Sequence, residues 1–333
     1  MIEEFRHDLL RTFAGRPVFE FALAEPEDLD LAALPENVED WAWRVAVVSF
    51  EEMGFAENFR LLLEHVDTTR IRALIIGAWH GEDDMSDTTD AAFDLLVEHA
   101  ARFPAVESLF VGDVRSEQCE VSWMHQADPG RVLAAFPRLR EFGLRGTTNL
   151  AMDPLEHEAL EELTLQGGGL PPEVARAVAA SRLPALTGLD LYLGTPAYNG
   201  GAEPADLEPI LRGEAFPRLR HLGLRNAENA DEIAAAVAHA PVVAQLEFLD
   251  LSLGVMTDAG AAALLSGQPL THLKQLNLNH HYLSDEMMQR VWAALPGVEV
   301  SMDEQEVAEA GHAWAPPGQE PQPRVWRYIA VAE

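Results

Sequence analysis

The chain has 333 residues, 48% of them apolar, and its 55 acidic against 23 basic side chains give a formal charge of -32. So acidic a surface is repelled by phosphate backbones and anionic headgroups, which argues against nucleic acid or a membrane as the principal partner. The single cysteine, Cys119, excludes an intrachain disulfide and a multi-cysteine metal site, and with no signal core at MIEEFRHDLLRTF and no membrane-length apolar run the expected location is the cytoplasm.

Residues 1–70 begin with VFEF at Val18 and WRVAVVSF at Trp43, both alternating as strands do, separated by an acidic, proline-containing stretch. FAENFRLLLEHVD from Phe55 has apolar residues at helical spacing. This segment is expected to be an N-terminal cap, because the first unit of a repeat array otherwise exposes its core edge.

From Ile71 a heptapeptide with apolar first, fourth and sixth positions recurs: IRALIIG, VESLFVG, LREFGLR, LEELTLQ, LTGLDLY, LRHLGLR, LEFLDLS and LKQLNLN. The copies start at 71, 106, 139, 160, 186, 219, 246 and 273, at separations of 35, 33, 21, 26, 33, 27 and 27 residues, and a weaker strand, GVEVSM, follows at Gly297. A short strand, a turn and a helix repeated at this period is the signature of a leucine-rich repeat. Helices are expected at DAAFDLLVEHAARF, EVARAVAASRL, DEIAAAVAHA and SDEMMQRVWAAL, where Asp or Ser stands ready to cap or Pro171–Pro172 precedes the first turn. Pro104, Pro137, Pro184 and Pro217 each end a helix two residues before the next strand. The gap of 21 residues is too short for a full helix. The expected fold is therefore α/β, a leucine-rich-repeat solenoid of ribonuclease-inhibitor type over residues 71–302. Its parallel sheet lines the concave face and its helices form the outer layer. Residues 303–333 form a proline-containing linker ending in the β-prone VWRYIAVAE, expected to fold back as a capping tail and to bury Trp326 or Tyr328.

The runs WRVAVVSF, IRALIIGAWH, VSWMHQADP, LDLYLGTPAYNGG, LRHLGLRN, NHHYLSDEM and RYIAVAE, from about Trp43 to Glu333, resemble an uncharacterised family of bacterial cytoplasmic leucine-rich-repeat proteins. The resemblance implies a cytoplasmic protein of unknown role, encoded beside biosynthetic-type proteins that are radical-SAM, hydrolase-like and ATP-grasp-like. Where the family has a His triplet, Asn279 stands before His280 and His281 here, which weakens the case for a shared metal site.

Residues between the template leucines point away from the core. In the later repeats these are Asp190, Tyr192, His221, Arg225, Phe248, Asp250, Asn277 and Asn279, with His280 just past the last strand. Tyrosine, phenylalanine and arginine are the residue types that anchor interfaces, so a protein or peptide partner on this face is expected, with Tyr192, Arg225 and Phe248 as anchors. Loops from Ala78, Gly112 and Gly194 leave strand carboxyl ends on the same rim, where Trp79, Trp123 and Tyr198 either supply contact area or plug gaps in the core, the second reading being favoured for Trp79 and Trp123. The alternative is an enzyme or metal-dependent accessory protein with a site at the carboxyl ends of the later strands, where Asp190, Asp250, Asn277 and His280 converge. Against it, Ser122, His125 and Asp128 have triad residue types without triad context. His80 with Glu82, Asp83 and Asp84 reads as a charged turn, GGG at Gly167 and NGG at Asn199 read as turns, and Cys119 has acidic neighbours. No catalytic residue, metal ligand or cofactor is assigned.

Overall fold

The computed structural model describes residues 8–48, 53–79, 88–313 and 322–332. Its central feature is a twelve-stranded sheet whose strands lie in chain order. β1 (Thr12–Phe13) turns back antiparallel onto β2 (Arg16–Phe21). Every later pairing is parallel: β3 (Ala42–Val45), β4 (Ala73–Ile76), β5 (Ser108–Val111), β6 (Glu141–Arg145), β7 (Glu162–Gln166), β8 (Gly188–Gly194), β9 (His221–Ala227), β10 (Phe248–Asp250), β11 (Gln275–Asn277) and β12 (Glu299–Ser301).

The register places the apolar template residues in one row. Trp43, Leu74, Leu109, Phe142, Leu163, Leu189, Leu222, Leu249, Leu276 and Val300 are successive partners across ten strands. This row faces the helices and joins them in a single apolar cluster running from Phe21 to Met302. Along the connections lie α1 (Phe55–His65), α2 (Asp90–Glu98), α3 (Gly130–Ala135), α4 (Pro172–Ala179), α5 (Glu208–Leu211), α6 (Ala230–Val237), α7 (Asp258–Ser266) and α8 (Asp285–Ala294). Two of them have side-chain N-caps, Thr257 accepting from the Ala259 amide and Ser284 from Met287, and Pro172 opens α4. The 21-residue gap between β6 and β7 contains no helix. Its space is filled by an irregular run in which Ser181 accepts from the Leu155 amide and the buried His157 ring bonds the Phe136 carbonyl at 3.1 Å.

The parallel sheet reaches back further than the leucine template does. β2 and β3, inside the region assigned to a separate cap, pair in the same register as the rest. Trp43 and Val45 stand where leucines stand elsewhere; both are fully buried, and the Trp43 indole donates to the Val38 carbonyl at 2.9 Å. On the opposite, helix-free face, Leu10 and Phe13 close over Ala42, Ala73, Ile75 and Phe110 in a second, smaller cluster.

After β12 the chain forms a hairpin of β13 (Glu309–His312) and β14 (Pro323–Trp326). It then crosses the carboxyl ends of the sheet strands as an extended strap. Among the described residues, no helix is long and apolar enough to cross a membrane.

Candidate functional site at the helix-free face and strand ends

Two side-chain rows run across the later strands on the helix-free face. One pairs Glu162, Gly188, His221, Phe248, Gln275 and Glu299; the other pairs Thr164, Asp190, Gly223, Asp250, Asn277 and Ser301. Glycine in each row lets a neighbouring carboxylate lean across: a Cβ on Gly223 would stand 1.8 Å from Asp190 Oδ1. Asp190 Oδ2 thereby meets His221 Nε2 at 3.0 Å. Arg225 donates to Ser252 Oγ at 3.1 Å, lies 3.4 Å from Asp250 Oδ1 and stacks 5.0 Å from the Tyr192 ring centroid. Asp250 Oδ2 accepts from Asn277 Nδ2 at 2.9 Å, and Asn277 Oδ1 accepts from the Asn279 amide.

Burial and charge act against each other here. Burial pushes the His221 pKa down, but the Asp190 hydrogen bond, with the charges of Asp190, Asp250 and Glu162, outweighs it and holds the ring above its ordinary value. Burial likewise pushes Asp190 up, and His221 and Arg225 more than offset it, so this carboxyl stays below the usual range. Glu162 lacks so close a cation, and burial raises it. Asp190 Oδ1 and His221 Nδ1 are buried and have no hydrogen-bond partner among the described residues.

Five residues expected at exposed positions are buried: Asp190, Tyr192, His221, Arg225 and Asp250 are all below 9% exposed. The first cause is lateral pairing, which turns the polar groups toward one another. The second is the C-terminal strap, whose Val331 packs with Tyr192, Leu253 and Val121 and leaves Tyr192 with no exposed surface. Tyr192 and Arg225 therefore cannot serve as accessible anchors while the strap is in place. Phe248, Asn277, Asn279 and His280 remain half-buried. Phe248 lies 6.3 Å from the His221 ring, with the Lys274 ammonium 5.7 Å from its centroid.

Of the residues expected to converge at the strand ends, Asp250 and Asn277 meet, and His280 does not join them. His280 takes a left-handed backbone at φ 56° and its Nδ1 faces the Gly254 carbonyl at 3.3 Å, away from Asp250. His281 turns inward, wholly buried; it bonds the Met302 carbonyl, and burial lowers its pKa. Among the described residues, no three His, Cys, Asp or Glu side chains are grouped to hold a metal ion. Ser122 donates to the Ala332 carbonyl and His125 pairs with Asn149, so the triad residue types do not form a triad. Cys119 is buried, and burial, then Glu120, pushes its thiol up to about 11. Trp79 joins the core, Trp123 is half exposed, and Tyr198 is half-buried at the rim. His80, Glu82, Asp83 and Asp84 lie outside the described residues.

The strap itself is where reading the sequence fell short. Of the two aromatics expected to be buried, Trp326 is half-buried beside Gly311 and Tyr328 is 55% exposed, while Ile329 and Val331 are buried, at 8% and 2% exposed. Asn226 and Tyr282, which hold it, stand just outside the seven-residue template. The available signal was the glycine triplet: a Cβ on Gly168 would stand 2.2 Å from Ser122 Oγ and 2.8 Å from the Ala332 carbonyl. The triplet is an approach path for another backbone as well as a turn.

No family model matches the chain, and no curated protein matches it. A crystal structure of a Bacteroides fragilis protein, a structural-genomics target, superposes with a TM-score of 0.73 at 30% identity, covering 79% of this chain and 74% of that one. The chain belongs to the family of that protein. The shared architecture is the mixed α/β arrangement with its long, mostly parallel sheet.

Proposed function

We propose that the chain is a leucine-rich-repeat solenoid serving as a non-enzymatic scaffold that binds a protein or peptide. The repeated strand template, the single apolar row across ten strands and the helices packed against it support the solenoid reading. The observation that carries the binding reading is the contrast along the helix-free face. The early strands are sealed by Leu10 and Phe13, whereas β10 to β12 leave Phe248, Gln275, Asn277, Asn279 and Ser301 half-buried and Glu299 exposed. Phe248 is the aromatic available as an anchor, and its rim is polar, as interfaces require. With a charge of -32, the chain favours a partner of opposite sign.

The test is affinity purification from the native host, followed by measurement of the identified partner against variants. Phe248→Ala is expected to weaken binding by more than about 1 kcal/mol, with Asn277→Ala additive to it. Glu232→Ala and Gln289→Ala, exposed on α6 and α8, are expected to change it little. Loss through the helix variants alone would place the grip on the outer side and end this reading.

The Asp190–His221 hydrogen bond favours a second reading, an acid–base or small-ligand site on the helix-free face of β8 and β9. Its two unbonded atoms would receive a ligand's donor and acceptor. His221→Gln abolishing binding of a purified small-molecule ligand, with the protein partner unaffected, would select it.

A further inference from the structure

The strap is held as a bound peptide is held. Tyr282 Oη accepts from the Tyr328 amide at 2.8 Å and donates to the Tyr328 carbonyl at 3.1 Å. Three residues on, the Asn226 amide repeats the pattern: its Oδ1 accepts from the Val331 N–H at 3.0 Å and its Nδ2 donates to the Val331 carbonyl at 2.6 Å. Between them the Ala330 amide donates to the Leu253 carbonyl at 2.9 Å. All these contacts read backbone, so they are indifferent to the sequence they hold. Two strap side chains are buried, Ile329 and Val331, and Val331 is the one packed between Val121, Tyr192 and Leu253.

The holding groups are built in place. Asn226 is fully buried in a left-handed backbone at φ 56°, a conformation kept where the surroundings fix it. Apart from the strap, its Nδ2 has the Gly167 carbonyl at 3.2 Å. The strap also fills its channel incompletely. A cavity of about 650 Å³ lies between it and Tyr198, Glu228 and Val255. The Arg327 guanidinium stands 5.8 Å from the Tyr282 ring, placing a cation at the entrance to an acidic protein.

We propose that this rim is a peptide-recognition groove that the chain's own C-terminal strap occupies in cis, and that an extended segment of a partner protein takes its place. The segment that fits has an arginine or lysine four positions before a valine-sized residue, with small residues on either side of the latter. The acidic surface draws the cation, Asn226 and Tyr282 hold the backbone, and the Val121–Tyr192–Leu253 pocket takes the side chain. This rests on the binding-scaffold reading and names its partner class. Displacement also uncovers Tyr192, so the rim and the half-open face become one continuous surface.

The probe is a fluorescent, end-blocked peptide of residues 325–332, titrated into the full-length protein. A tethered strap competes at high local concentration, so wild type is expected to bind weakly. Val331→Asp, which expels the strap, is expected to bind the peptide at least tenfold more tightly. Adding Asn226→Ala to that variant is expected to reverse the gain. Val331→Ala, which only trims the anchor, gives an intermediate gain and keeps the test valid if Val331→Asp does not fold. Equal affinity across wild type, Val331→Ala and Val331→Asp overturns the proposal, as does an Asn226→Ala variant that binds undiminished. Phe248→Ala is expected to leave peptide affinity within twofold, so loss of the face reading would not move this readout. A tenfold loss there would place the peptide on the face and overturn the rim groove.

Discussion

Arginine stacks on an aromatic ring in both halves of the helix-free face, yet the two halves end in different states. Near the N-terminal end Arg145 lies 5.3 Å from the Phe110 centroid, and near the C-terminal end Arg225 lies 5.0 Å from Tyr192. Arg145 is shut in with Arg44 around one carboxylate: Asp113 meets Arg44 Nη1 at 2.7 Å and Arg145 Nη1 at 3.6 Å, and it accepts from the Leu10 amide. Burial draws Arg145 below the ordinary guanidinium range, with Asp113 the chief opposing charge. Arg225 instead meets Asp250 and Ser252 and stacks on Tyr192, which lies under a strap held by hydrogen bonds. Chain covers both arginines. One cover is locked by charges that cannot be left alone, the other by contacts that water or another peptide could replace.

The sharpest way to break this comparison is to remove Asp113. Asp113→Ala takes from the buried Arg145 the carboxylate that faces it and leaves Arg44 with Glu20 alone, and is expected to cost about 3–5 kcal/mol in chemical denaturation. Asp250→Ala is expected to cost less, because Arg225 keeps Ser252. Equal losses would mean that the two halves are sealed alike. Next, Leu109→Ala and Leu276→Ala each delete a buried methyl cluster from the shared row and are expected to cost about 2–5 kcal/mol. A melt unmoved by Leu276→Ala would remove the later strands from the common core.

The row of leucines was legible because side-chain period and burial coincide along each strand. β3 was legible as a strand but not as part of the array, since Trp43 and Val45 do the leucines' work with other shapes. The site was legible as a set of residues and misread as a surface. Alternation says that Tyr192 and Arg225 point away from the helices, but it cannot report a cover whose Asn226–Val331 contact spans 105 positions. Nor can it say that Asp190 would turn sideways to His221, which depends on the absent side chain at Gly223.

A smaller effect sharpens the picture of the open half through pH. His221 is held above its ordinary value near 6.5, so its contribution to stability is complete below that pH and is lost as pH rises through the raised folded value. Asp190 is held below its ordinary value near 3.8, so its contribution is present above that pH and is lost as pH falls through the depressed folded value. The pair is strongest between these limits. The difference between wild type and His221→Gln in urea, followed from pH 4 to 9, is expected to shrink at the alkaline end. A pH-independent difference would show that the contact is neutral. His281, lowered by burial, is present in both proteins and cancels. The smallest expected effect is on stability from Phe248→Ala, within about 0.5–1 kcal/mol for a half-exposed side chain. A larger loss would mean that the face is closed at β10 as well.

The sequential strand order also bears on how the chain folds. Each sheet strand pairs with the ones before and after it, so sheet growth needs no distant meeting and can start at any strand pair. The covers are the exceptions: at the N-terminal side Leu10 meets Asp113 across 103 positions, and the strap reaches at least as far. Ser122 to Ala332 joins positions 210 apart, and Asn226 to Val331 joins positions 105 apart. Loop-closure entropy grows only slowly with length, by about 0.6 kcal/mol per doubling, but the ends have nothing to meet until β7 to β11 have assembled their carboxyl rim. The strap is therefore expected to close late and to report on completion, docking only on a sheet whose strands are already in register.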